Sequence, residues 1–193
     1  MRLILASQSP RRLELLARLG IVPDAVIPAH IDETAHKSEL PMPYARRVAA
    51  AKAAAVAAPG ALTLAADTVV AAGRRILPKA ESEAEARFCL DLLSGRRHRV
   101  HCAVTLIDAD GRARHRLSSS IVTFKRLSAE EIDAYIASDE WRGKAGGYAI
   151  QGHAAAFIPW IAGSYSNVVG LPLHETAQLL AGRGYPIRRG AGS

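Results

Sequence analysis

A chain of 193 residues, 49% hydrophobic and 22% charged, holds enough apolar material for one core and excludes a disordered, collagen-like or disulfide-scaffold protein. The formal net charge of +7 favours an anionic partner, yet lysines and arginines come in ones and twos, so a phosphate-bearing ligand explains them as well as nucleic acid does. Two cysteines, Cys89 and Cys102, leave no disulfide framework and no four-thiolate zinc site, which points to the cytoplasm.

The predicted elements start with a buried strand, Leu3-Ile4-Leu5-Ala6, too short for a signal-peptide core. Ser9-Pro10 then opens a helix, with Ser9 placed to cap it, Leu13, Leu16 and Ala17 on one face, and Gly20 at its close. An alanine-rich helix is expected over about 43–58, then a buried strand over 62–66 that Asp67 interrupts before Thr68-Val69-Val70 continues. Ser82 with Glu85 and Ser128 with Glu131 form capping boxes for two helices, ending near Gly95 and Ser138. Between them, strands over 100–107 and about 114–124 flank Asp110-Gly111, a hairpin signal.

From Ala145 to Leu173 the chain has no Asp, Glu, Lys or Arg, but Gln151, His153, Asn167, several hydroxyls, Pro159 and Pro172 make a bilayer span untenable. Short strands over 148–151 and 156–161 are expected there, and Leu171-Pro172 opens a last helix reaching Gly182. Residues 1–187 read as one domain and 188–193 as a frayed basic tail. Helices, strands and hairpins in this order predict an α/β fold, a mixed sheet with flanking helices.

Several residues could carry chemistry. Arg11 and Arg12, beside Ser7 and Ser9, occupy the first helical turn, where free N–H groups and the helix dipole favour an anion; the alternative is a pair of solvated arginines. Asp67 ends an apolar strand, so its carboxylate should meet a cation, a metal or a raised pKa, unless it merely stabilises a turn. Lys52 among alanines reads by itself as a solvated helix face. Asp32-Glu33, flanked by His30 and His36, offers hard oxygen ligands of the kind Mg²⁺ takes. His98 and His101 are three apart in a strand and should face opposite ways. Lys79 precedes a capped helix and can reach a phosphate or lie on the surface. Gln151-Gly152 pairs a donor-acceptor amide with a residue that admits a close ligand, suiting it to a base edge, or it is a satisfied buried glutamine.

Five blocks in order, Leu-Ala-Ser-Gln-Ser-Pro-Arg-Arg at 5–12, Ala-Asp-Thr-Val-Val at 66–70, Leu-Ser-Gly-Arg with His98 and Val100 at 93–100, Gly-Tyr-Ala-Ile-Gln-Gly at 147–152 and Tyr-Ser-Asn-Val-Val-Gly-Leu-Pro at 165–172, span nearly the whole chain. Together they resemble the Maf family of nucleoside triphosphate pyrophosphatases. The resemblance implies a fold related to inosine triphosphate pyrophosphatases, two lobes around a cleft, a homodimer, and hydrolysis between the α- and β-phosphates of a nucleotide. It implies Asp67 as proton acceptor, Arg11, Thr68 and Gln151 as specificity positions, and Ser7, Arg12, Glu33, Lys52 and Lys79 as the remaining phosphate and metal contacts. Glu33 and Asp67 would hold a divalent metal, Mg²⁺ or Mn²⁺. Glutamine at 151 resembles the branch acting on dTTP and UTP. Two positions depart from the family pattern: its Gly-Lys-Pro is Pro78-Lys79-Ala80 here, and a threonine is replaced by Cys102. The rival class, a basic regulatory or nucleic-acid-binding protein, has only 5% aromatics and no reader motif to support it.

Overall fold

The structure, a computed structural model, describes residues 1–187, so the expected tail at 188–193 lies outside the described residues. Its elements are β1 (Arg2–Ala6), α1 (Pro10–Ala17), β2 (Ala25–Val26), α2 (Pro41–Val56), β3 (Ala61–Ala72), β4 (Arg75–Ile76), α3 (Glu83–Leu93), β5 (Arg97–Ile107), β6 (Ala113–Thr123), α4 (Ala129–Ala137), a 3-10 turn (His153–Phe157), β7 (Trp160–Ala162), α5 (Tyr165–Val169) and α6 (Leu173–Ala181). The sheet runs β2-β1-β3-β5-β6-β7, with β4 on β3. β1 is parallel to β2 and β3, and the remaining pairings are antiparallel, which makes the sheet mixed. Among the described residues no helix is long and apolar enough to cross a membrane.

Local signals build much of this. Both capping boxes form, Ser82 with Glu85 and Ser128 with Glu131, each satisfying N–H groups that a helix start leaves free. The β5–β6 hairpin closes on Asp108, whose carboxylate accepts from the N–H of Asp110 and of Arg112 at 3.1 and 2.8 Å. α2 begins at Pro41, two residues before the expected start, since prolines in the first turn withhold only N–H groups that lack a helical partner.

Other expectations fail for reasons that lie in the tertiary structure. β3 runs unbroken through Asp67. Ser9 makes no side-chain cap; its N–H donates instead to the Ser7 hydroxyl at 3.0 Å. Leu13 is exposed, and the inward side of α1 is Arg12, Leu15 and Leu16, with Leu19 packing just beyond its end. Residues 148–151 form no strand: 148–149 are irregular and 150–151 a turn. Tyr148 and Ile150 are buried, but their alternation finds no neighbouring strand. Most of 156–161 is 3-10 turn and connection, leaving only the short β7. The two-residue strands β2 and β4 and the five-residue helix α5 are too short to leave a periodic signal.

The main core lies on the face of the sheet that includes Leu64, Ala66, Val70, Val100, Cys102 and Val104. His98 is on this face of β5, 2% exposed, with its Nε2 2.7 Å from the Tyr148 hydroxyl and its ring edge-on to Phe124. His101 points the other way, to Ser119, as the strand alternation requires. Burial pushes the His98 imidazole down to about 4. Because that lies below the ordinary 6.5, the unfolded chain binds the extra proton between these values. The His98 contribution is therefore complete above pH 6.5 and is lost as pH falls toward 4, with a slope of at most ~1.4 kcal/mol per pH unit. His98→Gln should flatten the dependence of unfolding free energy on pH across that window, whatever its effect at pH 8. Denaturant titrations at several pH values check this; parallel curves for the two proteins would remove His98 from the acid response.

Candidate active site

The site begins with an interruption in the sheet. β1 pairs with β3 from Arg2 opposite Ala61 to Ala6 opposite Ala65, and β4 takes up the same edge only at Ala71. Between them β3 has β5 on one side and no strand on the other. Asp67 and Thr68 lie in this gap and, as neighbours in a strand, point to opposite faces. Asp67 shares the α2 side with Ala65 and Val69, whereas Thr68 shares the main-core side with Ala66 and Val70. A cleft of about 580 Å³ wraps over the open edge and touches both faces, a size that accommodates a nucleotide.

On the α2 side, small residues bring helix and sheet together: Ala45 and Ala49 meet Val69 and Ala103, and Ala53 meets Ala65. Lys52, one helical position before Ala53, is consequently buried, 8% exposed, and not the solvated residue its surroundings in sequence suggest. Its ammonium donates to Asp67 Oδ1 at 2.8 Å and pairs with Glu33 Oε1 at 3.0 Å. Asp67 is 2% exposed, and its Oδ2 has no hydrogen-bond partner among the described residues. Lys79 reaches Glu33 Oε2 at 2.7 Å, so Lys79, Glu33, Lys52 and Asp67 form a continuous chain of alternating charge. Burial works to raise the Glu33 pKa, but the hydrogen bond from Lys79 and the charge of Lys52 prevail and hold it below the usual carboxylate range. The Tyr44 hydroxyl donates to the Glu33 carbonyl at 2.8 Å, fixing the loop. Burial, with Asp67 and Glu33 nearby, pushes Tyr44 up to about 12.

The opposite face belongs to Arg12. Its place on the inward side of α1 takes Nε to the Gly170 carbonyl at 2.9 Å, with other guanidinium nitrogens 3.4 Å from the Ser7 and Thr68 hydroxyls. Thr68 in turn lies 3.3 Å from the Cys102 thiol beneath it, which burial pushes up to about 11. Arg11 and Ser7 line the same cleft; Arg11 is half-buried, and burial and the Arg12 charge lower its pKa. Both arginines are thus partly withdrawn from solvent. Gln151 also lines the cleft. It is exposed, and its amide makes no hydrogen bond among the described residues, which disposes of the satisfied buried glutamine.

Lys79 reaches the cleft with Pro78 and Ala80 as its neighbours. The segment 78–80 is zipped to 143–146: Gly146 N–H donates to the Pro78 carbonyl at 2.9 Å, Ala80 N–H to the Lys144 carbonyl at 3.1 Å and Gly143 N–H to the Ala80 carbonyl at 2.8 Å. Proline lacks an N–H, but this ledge uses only its carbonyl. The other side of the ledge needs glycine. Gly146 and Gly147 both have φ of 69°, and a Cβ on Gly146 would come within 2.7 Å of Val70.

Sequence reasoning brought Ser7, Arg11, Arg12, Glu33, Lys52, Asp67, Thr68, Lys79 and Gln151 to one cleft, and the structure places all nine on its lining. It did not single out Tyr44, the Gly170 carbonyl or Lys144. Gly170 lies within the block at 165–172 and Lys144 is the last charge before the long uncharged stretch, whereas Tyr44 left no signal.

Fold and cleft together define an α/β protein whose interrupted sheet opens on a cation-lined pocket with two carboxylates. The chain belongs to the Maf family: the family model described as Maf-like protein matches residues 2–183. It is 64% identical over 185 residues to a protein of Rhodospirillum rubrum named dTTP/UTP pyrophosphatase, covering 95% of this chain and 88% of that one. A protein of the same name from Paramagnetospirillum magneticum is 65% identical over 185 residues, covering 95% and 97%. Among solved structures, a HAM1 protein from Coxiella burnetii aligns with a TM-score of 0.49 at 18% identity, covering 94% of this chain and 99% of that one.

Removing one partner of a buried ion pair strands the other, at a cost of ~3–5 kcal/mol. Lys52→Met should therefore destabilise the fold by about that amount, and adding Asp67→Asn should restore part of it, because the stranded charge is gone. Chemical denaturation of the two single variants and the double variant measures the coupling; strictly additive effects would show that the pair does not interact in solution.

Proposed function

We propose that this chain is a nucleoside triphosphate pyrophosphatase that hydrolyses the bond between the α- and β-phosphates of dTTP and UTP, releasing the monophosphate and pyrophosphate. The observation that carries the proposal is Asp67, a buried carboxylate with one oxygen held by Lys52 and the other without a partner at the wall of a cation-lined cleft. The names of the relatives support the substrate.

In this mechanism Lys52 fixes Asp67 Oδ1, which leaves Oδ2 to accept a proton from the attacking water. Arg11, Arg12, Lys52 and Lys79 neutralise charge on the polyphosphate, Arg12 already oriented by Ser7, Thr68 and Gly170. The unpartnered Oδ2 and the hard oxygens of Glu33 fit a divalent cation, Mg²⁺ or Mn²⁺, since each Glu33 oxygen keeps a lone pair beyond its lysine contact. When bound there, such an ion would polarise the phosphoryl oxygens and offset their charge. Gln151 presents its free amide to the base. Thymine and uracil show an N3–H between two carbonyls, and an amide both donates and accepts. A homodimer in the cytoplasm completes the proposal; Cys89 and Cys102, both free and buried, suit a reducing compartment.

Asp67→Asn should lower turnover of dTTP by ~10²–10⁴-fold while nucleotide binding persists. Steady-state assays with pyrophosphate detection, with and without chelator, test it. Near-normal turnover of the variant would remove Asp67 as the base, and undiminished wild-type activity in excess chelator would remove the metal. Salt-sensitive nucleic-acid binding without any nucleotide turnover would replace the proposal with its rival.

Gln151→Glu substitutes an acceptor-only group at neutral pH. It should lower kcat/KM for dTTP and UTP relative to purine triphosphates by about ten- to a hundred-fold, the cost of one unmatched hydrogen bond. If the pyrimidine-to-purine ratio does not move across a nucleotide panel at one pH, Gln151 does not read the base.

A further inference from the structure

Lys144 lies on the cleft wall, on the ledge that pairs with Lys79, and none of the sequence blocks includes it. It is only half-exposed. Its ammonium donates to the Arg142 carbonyl at 3.2 Å, and among the described residues it has no ion-pair partner. Arg11 and Arg12 line the same cleft, and among the described residues they too have no carboxylate within ion-pair distance. By contrast Lys52 and Lys79, the other cations of the cleft with assigned contacts, are both neutralised by Glu33 or Asp67. Among the described residues, then, Lys52 and Lys79 are paired with carboxylates, whereas Arg11, Arg12 and Lys144 form no ion pair, although Glu81 also lines the cleft and Glu140 and Glu14 act on Lys144 and Arg11 at longer range.

Burial lowers the Lys144 pKa and the Arg11 guanidinium lowers it further, against the smaller opposing pull of Glu140. Keeping like charges half-buried and unpaired is unfavourable in the free protein. An anion bound among them removes that penalty.

We infer that Lys144 is a further substrate-binding residue, a cation that acts with Arg11 and Arg12 to hold the polyphosphate. The inference rests on the proposed triphosphate substrate and adds a residue to its site. Its carbonyl is held by Ala80, so the ledge sets Lys144 and Lys79 by one set of backbone hydrogen bonds. Phosphate contacts from both would come from a single rigid unit.

Calorimetric titration of the purified protein with inorganic tripolyphosphate, with and without Mg²⁺, tests this without turnover. Lys144→Met should weaken binding about tenfold, and Lys144→Arg should keep most of it. Lys125→Met, with the same charge change outside the cleft, should leave it unchanged. Kcat/KM for dTTP should fall in Lys144→Met through KM. If wild-type and Lys144→Met proteins bind tripolyphosphate equally, the inference falls while the proposed activity stands. Equal binding with a lowered melting temperature would assign Lys144 only to the turn at Arg142. If the wild-type chain binds no tripolyphosphate under either condition, the phosphate site itself falls, and the inference with it.

Discussion

The buried pair of Lys52 and Asp67 is the interaction on which the site depends. Two charges withdrawn from water cost several kcal/mol each, and their attraction repays this only in good geometry. The fold supplies that geometry through smallness: alanines on α2 let the helix approach β3 closely enough for a lysine to reach a strand carboxylate at 2.8 Å. The pair contributes little to net stability beyond what an apolar pair would give. What it does is hold one carboxylate oxygen still and leave the other unsatisfied.

That arrangement requires the sheet to be incomplete. Where β1 ends and β4 has not begun, β3 exposes an edge to the cleft, and consecutive residues serve its two faces. Asp67 works against α2 and the Glu33 loop; Thr68 works against α1 and the Gly170 turn. A continuous strand beside β3 would have covered both. The placement of Arg12 on the inward side of α1 follows the same logic, since an inward arginine is tolerated only because the gap gives it a carbonyl and two hydroxyls to bond.

Sequence was informative where the signal was local. The capping boxes at Ser82 and Ser128 and the turn at Asp110-Gly111 each depend on residues within a few positions, and all three formed. It misled where a local pattern lacked its tertiary partner. Tyr148 and Ile150 alternate like a strand but bury their side chains outside any strand, and Asp67 looked like a break because the cation that allows it within a strand is 15 residues away on a helix. Ser7, Arg11, Arg12, Asp67, Thr68 and Gln151 were legible within short blocks, whereas Glu33, Lys52 and Lys79 lie outside them and were reached through the family resemblance; the fold brings all nine to one cleft. Which oxygen of Asp67 is held and the chain of charge through Glu33 depend on contacts between distant segments that no spacing encodes.

The tight seating of Gly146 and Gly147 bears on how such a protein can change its substrate. Val70 against one glycine and Ala86 and Cys89 against the other leave little room for a side chain at either position. Residue 151, four positions beyond Gly147, is by contrast exposed on the lining of the cleft. With Gln151 as the proposed base reader, variation at that one codon would alter what the base meets and leave the proposed phosphate contacts in place. Selectivity would then be separable from chemistry, and a lineage or an engineer could retune the first without rebuilding the second.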